Sequence, residues 1–155
     1  MTASDTVRDL GVTLDAQLTM KNHVDGVARS CFYQLRQLRS IRRSVPTDAL
    51  HTLVNAFTSS RIDYCNAVLY GVTDAVIQRL QAVLHAAARL ITGVQRNDHI
   101  TPTLRDTLHW LHVSQCIMFK SADDIRLYPW PITSVLPRHL FTDRLRSLSF
   151  PASLC

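Results

Sequence analysis

Between His23 and Arg43 the apolar residues Val24, Val27, Cys31, Leu35, Leu38 and Ile41 recur every three or four positions. That spacing predicts an amphipathic helix, with Ala28 and Phe32 widening its apolar stripe. Thr19 or Asn22 is placed to cap its start, and Pro46 ends the run. Thr47 in PTDAL is the expected N-cap of a second helix, with Asp48 well placed in the first turn. That helix carries Leu50, Leu53, Val54 and Phe57, continues through SSRIDYCN to Leu69 and Tyr70, and stops at Gly71. A third starts at Asp74, bears Ile77, Leu80, Leu84, Ala87, Ala88 and Ile91, and stops at Gly93. The small side chains of Ala86, Ala87 and Ala88 let another helix approach closely. A short fourth helix follows Pro102, and a fifth piece covers Val113 to Lys120.

Ahead of the helices, VRDLGVTLD (Val7 to Asp15) reads as a short strand or hairpin, with Gly11 permitting a bulge. Beyond Lys120 the periodicity fails, and four of the six prolines fall in the last 27 residues, which predicts an irregular tail. The expected organisation is a strand or hairpin over 1–20, a helical domain over 21–120 and a tail over 121–155. The fold class is mainly α, a small bundle of three to four helices.

Charge adds to this picture. Of 17 basic residues 15 are Arg, all 12 acidic residues are Asp, and the net charge is +5. The planar guanidinium fork suits phosphate oxygens, so polyanionic partners fit this balance; a nucleotide-composition bias would produce the same counts. Arg29, Arg36 and Arg43 recur every seven positions and Arg39 joins them, a stripe expected roughly opposite Val24, Cys31, Leu35 and Leu38. It fits contacts to a phosphate backbone, or an ordinary solvated face. No window is long and apolar enough for a membrane span, and MTASDTVRDLG lacks a leader pattern, which predicts an intracellular, non-secreted protein. Cys31, Cys65, Cys116 and Cys155 form no CxxC pair, so neither a zinc module nor a disulfide scaffold is encoded.

Three clusters carry the residue types of catalysis or metal binding. Arg61, Asp63 and Asn66 stand close together, but no His in the stretch serves as a general base. A polar set at a helix break, fixing the angle between two segments, is the stronger reading. His109, His112 and Cys116 would share a face on a continuous helix, the geometry a metal needs, though no fourth ligand is visible. Asp123-Asp124 resembles the acidic pair of a polymerase magnesium site. It lacks a third carboxylate and apolar strand flanks, and reads better as a solvated acidic turn.

In order along the chain come Leu10-Gly11, His23, SRIDYCNAVLYG (Ser60 to Gly71), Leu80 to Leu90, His99 to Leu104, Leu108 to Val113 and Ile117 to Lys120. This series resembles the thumb and following region of reverse transcriptases from non-LTR (LINE-type) retrotransposons, over about residues 7 to 120. Leu84-His85 stands where the family has Gln-Asn, His112 where it has Pro, and Cys116 where it has Arg. The resemblance implies a thumb-like helical domain beside a primer–template duplex, and Leu10-Gly11 as the palm edge touching the primer end. It makes Arg61, Asp63, Tyr64, Cys65, Asn66, His99 and Trp110 structural motif residues. It also implies that the palm carboxylates and their Mg2+ belong to the intact parent, an RNA-directed DNA polymerase, and lie upstream of the matched region. This chain is then expected to be no enzyme and to hold no cofactor. Its expected partners are an RNA–DNA or RNA duplex backbone, the palm and fingers, or a protein on an apolar face left uncovered. An exapted helical interaction module is the alternative.

Overall fold

The structure is a computed structural model that describes residues 5–64 and 66–127. Two antiparallel strands, β1 (Thr6–Asp9) and β2 (Val12–Asp15), pair in the register Thr6 to Asp15 through Asp9 to Val12. Among the described residues five α-helices follow: α1 (Lys21–Ile41), α2 (Thr47–Val54), α3 (Ser60–Asp63), α4 (Asp74–Thr92) and α5 (Val113–Leu127). The expected class, a mainly helical bundle behind an N-terminal hairpin, is the one observed.

The hairpin turns on Leu10 and Gly11, with φ of 45° and 85°. Two consecutive positive φ values suit a type I′ turn, which strongly favours Asn at the first position and Gly at the second. Leu10 is strained there, and its side chain is 81 % exposed. Leu10→Asn should therefore raise stability by about 0.5–1 kcal/mol, read as a shift of the urea midpoint without a change in slope.

The core lies chiefly between α1 and α4. The first contributes Val24, Ala28, Cys31, Leu35 and Leu38; the second Val76, Leu80, Val83, Leu84, Ala87, Ala88, Leu90 and Ile91. Ala87 and Ala88 are wholly buried, in keeping with close helix approach. Ile41 and Phe32, expected in the α1 stripe, are instead exposed. A 3₁₀ turn over Arg42–Ser44 follows Ile41, so Arg43 lies beyond α1.

Helix starts differ from expectation in detail. Met20, left-handed at φ 58°, occupies the N-cap of α1, while Thr19 Oγ1 accepts the Lys21 N–H at 3.4 Å. Asp15 accepts from the Thr19 hydroxyl and from the Met20 N–H, and the Thr19 bond first of all pulls its pKa below the ordinary value. Pro46, extended at ψ 149°, takes the N-cap of α2, which makes Thr47 the first helical residue. Gly93, at φ 78°, terminates α4 where expected.

The second helix departs most. After Val54 it widens into a π turn over Asn55–Ser59, continues as α3, and ends at Asp63 instead of reaching Tyr70. Tyr64 is extended, and a separate 3₁₀ turn spans Asn66–Leu69. A π turn inserts one residue into the helical register. Accordingly Phe57, expected inside, is 40 % exposed, and Thr58 is fully buried in its stead. Another π turn, over Thr103–Thr107, forms after Pro102. α5 passes Lys120 and runs to Leu127, so the expected tail boundary at residue 121 falls inside a helix.

Gln81 joins α4 to α5. Its Oε1 accepts the Val113 N–H at 3.0 Å, so its amide NH₂ points at His85 Nε2, 2.9 Å away. His85 Nε2 must then accept, which requires the neutral ring with its proton on Nδ1. Burial first, then the charges of Arg89 and His112, hold the His85 pKa below 6.5. Because the folded pKa is depressed, this contribution is complete above pH 6.5 and fades as pH falls through the folded value. His23, lowered by burial and accepting the Thr13 N–H at 3.4 Å, acts in the same direction. The melting temperature should fall between about pH 7.5 and about pH 5.5, and His85→Gln, which keeps an acceptor that does not titrate, should reduce that fall.

Candidate nucleic-acid interface

The polar stretch around Tyr64 is a junction. Arg61 Nη1 donates to Ser30 Oγ on α1 at 2.7 Å. Asp63 Oδ1 pairs with Lys120 of α5 and accepts from Asn66 Nδ2 at 3.1 Å. Lys120 Nζ also reaches the Asp63 carbonyl at 3.3 Å, placing a cation at the C-terminus of α3. The Tyr64 hydroxyl donates to the Leu10 carbonyl at 2.7 Å, anchoring the strained hairpin turn. Neighbouring residues thus hold α1, α5 and the hairpin, and Arg61, Asp63, Tyr64 and the Asn66 amide NH₂ all have structural partners, while Asn66 Oδ1 is buried without one among the described residues. Cys65, expected within this motif, lies outside the described residues.

His99 is exposed, whereas Trp110 is buried and stacks on His51 of α2 with ring centroids 6.1 Å apart. The shared helical face imagined for His109, His112 and Cys116 does not form, because α5 begins only at Val113. His109 is left-handed at φ 55°, and His112 stands edge-on to His85 at 6.5 Å. No group of three or more metal-ligating side chains occurs among the described residues. Asp123-Asp124 lies within α5 instead of in a turn. Burial lifts the Cys31 thiol to about 11, with Arg61 partly offsetting the rise, so Cys31 stays a protonated packing group at neutral pH.

Arg29, Arg36, Arg39 and Arg43 are all exposed, and none has an ion pair or hydrogen bond among the described residues. At ~100° per residue, Arg39, Arg36 and Arg29 sit about 60°, about 120° and about 140° from the mean direction of the buried residues of α1, so the line runs from beside the core toward the outer face. Tyr33 holds the position opposite. The one acidic residue of α1, Asp25, is engaged by Arg79 of α4, which leaves the Arg charges uncompensated on their own helix. Arg42 behaves differently, with its guanidinium against Gly93 at the end of α4. Leu10 and Gly11 lie at the hairpin tip, tied to Tyr64.

No helix among the described residues is long and apolar enough to cross a membrane. Comparisons with protein-family models, curated proteins and solved structures found no match.

Sequence reasoning singled out Arg61, Asp63 and Asn66 as structural, but missed their partners Ser30 and Lys120. It also missed Gln81, whose signal was a polar residue set among the buried positions Leu80, Val83 and Leu84.

Proposed function

We propose that this chain carries the thumb region of a LINE-type reverse transcriptase and contributes weak, sequence-independent binding of an RNA–DNA or RNA duplex. The observation that supports this reading most directly is the set of uncompensated guanidinium groups on Arg29, Arg36, Arg39 and Arg43. Such groups meet phosphates and displace counterions without reading bases. The ordered series of motifs from Leu10-Gly11 to Lys120 supports the family assignment, and no catalytic step is assigned to these residues. Filter binding to a hybrid duplex at low and moderate salt tests the proposal. Affinity that falls steeply with salt is expected, and affinity indifferent to salt overturns it. Nucleotide incorporation by the purified chain would overturn the non-catalytic assignment.

A second reading, a helical protein-interaction module, draws support from apolar side chains on and near the hairpin: Val7, Leu10 and Leu18 are 61 %, 81 % and 65 % exposed. Sedimentation separates the readings: self-association without duplex favours the interaction module, and a monomer that co-sediments with duplex favours the nucleic-acid thumb.

A further inference from the structure

The Arg-bearing side of α1 also carries two aromatic rings. Phe32 and Tyr33 are 43 % and 59 % exposed, and neither makes a ring contact among the described residues. Phe32 follows Arg29 by three positions and precedes Arg36 by four; Tyr33 follows Arg29 by four and precedes Arg36 by three. Residues three and four apart on a helix are surface neighbours. Both aromatic positions therefore neighbour the same two Arg positions; Arg39 extends the positive line along α1, and Arg43 follows in the 3₁₀ turn just past its end. Asp25 does not offset it, being engaged by Arg79.

A closed duplex uses only half of this surface. Its phosphates meet the guanidinium groups, but its base faces are already stacked on one another and offer nothing to a ring. An unpaired strand offers both a phosphate chain and free base faces, and rings interleaved with cations match that pair of features. We infer that the outer face of α1 binds single-stranded RNA or DNA, with phosphates on Arg29, Arg36, Arg39 and Arg43 and bases stacked on Phe32 and Tyr33. The inference rests on the proposed nucleic-acid interface and specifies the unpaired strand as its preferred ligand.

Fluorescence anisotropy with a labelled oligothymidylate of about 12 nucleotides, beside a hybrid duplex of the same length, tests it. The double variant Phe32→Ala/Tyr33→Ala should weaken single-strand binding by about tenfold or more while changing duplex binding less than about twofold. Tyr33→Phe, which keeps the ring, should bind like the parent. A thermal melt checks the fold, and Tyr33→Ala alone serves if the double variant fails to fold. Single-strand binding unchanged by loss of the rings overturns the inference, as does an equal loss for strand and duplex. Duplex binding without any single-strand binding also overturns it and leaves the duplex reading standing. Failure of both ligands to bind the parent chain removes the two readings together.

Discussion

Trp110→Ala should lower the unfolding free energy by about 3–5 kcal/mol, the range for emptying a buried aromatic site. Trp110 is 3 % exposed, its backbone N–H donates to the Leu104 carbonyl at 2.8 Å, and its ring lies on His51 of α2. It thereby fastens the segment between the second π turn and α5 to the other side of the bundle. A domain of this size commonly has about 5–15 kcal/mol in total, so the loss is large. Trp110→Phe separates two contributions. The indole Nε1 is buried with no acceptor among the described residues, and removing an unsatisfied donor recovers about 1–3 kcal/mol against the smaller ring volume. The Phe variant should therefore lose less than half of what the Ala variant loses. Urea unfolding measures both, with midpoints shifting and the slope constant if the change is in stability alone.

The triple change Arg29→Ala, Arg36→Ala and Arg43→Ala should act on binding and leave folding nearly untouched. Exposed side chains without partners contribute within about 0.5 kcal/mol to stability, so the melting curve should superimpose on that of the parent. Each phosphate left without its guanidinium reduces the slope of log K against log salt by about 0.9, and three reduce it by about 2.7. At ~0.15 M salt that amounts to a weakening on the order of a hundredfold. Filter binding on the hybrid duplex across a salt series reads both quantities. An unchanged slope would remove these Arg residues from the interface, and a collapsed melting curve would show that they serve the fold.

α1 and α4 were legible because each carries an uninterrupted apolar stripe over many turns, from Val24 to Leu38 and from Val76 to Ile91. The π turn at Asn55–Ser59 was not, since a register shift of one residue leaves no compositional mark and only moves Phe57 out and Thr58 in. α5 was cut short in the sequence because the apolar spacing that starts at Val113 and Ile117, both buried, breaks at the adjacent exposed pair Met118 and Phe119. At the junction around Tyr64, residue types revealed a structural role. The partners did not show, because Ser30, Leu10 and Lys120 are 31, 54 and 57 positions away and no local pattern encodes such distances. The exposed Arg set was readable from its spacing along α1.

The Tyr64 hydroxyl on the Leu10 carbonyl has a kinetic consequence. Two strands alone hold together marginally in water, and β1 is exposed along its whole length. The ribbon takes its order from a few ties to the helices: this phenol, the Thr13 N–H on His23 and the buried Val12 side chain. Amide protons at the β1–β2 pairing should consequently exchange with solvent well before those of α1 and α4, and removing the clasp in Tyr64→Phe should quicken that exchange further.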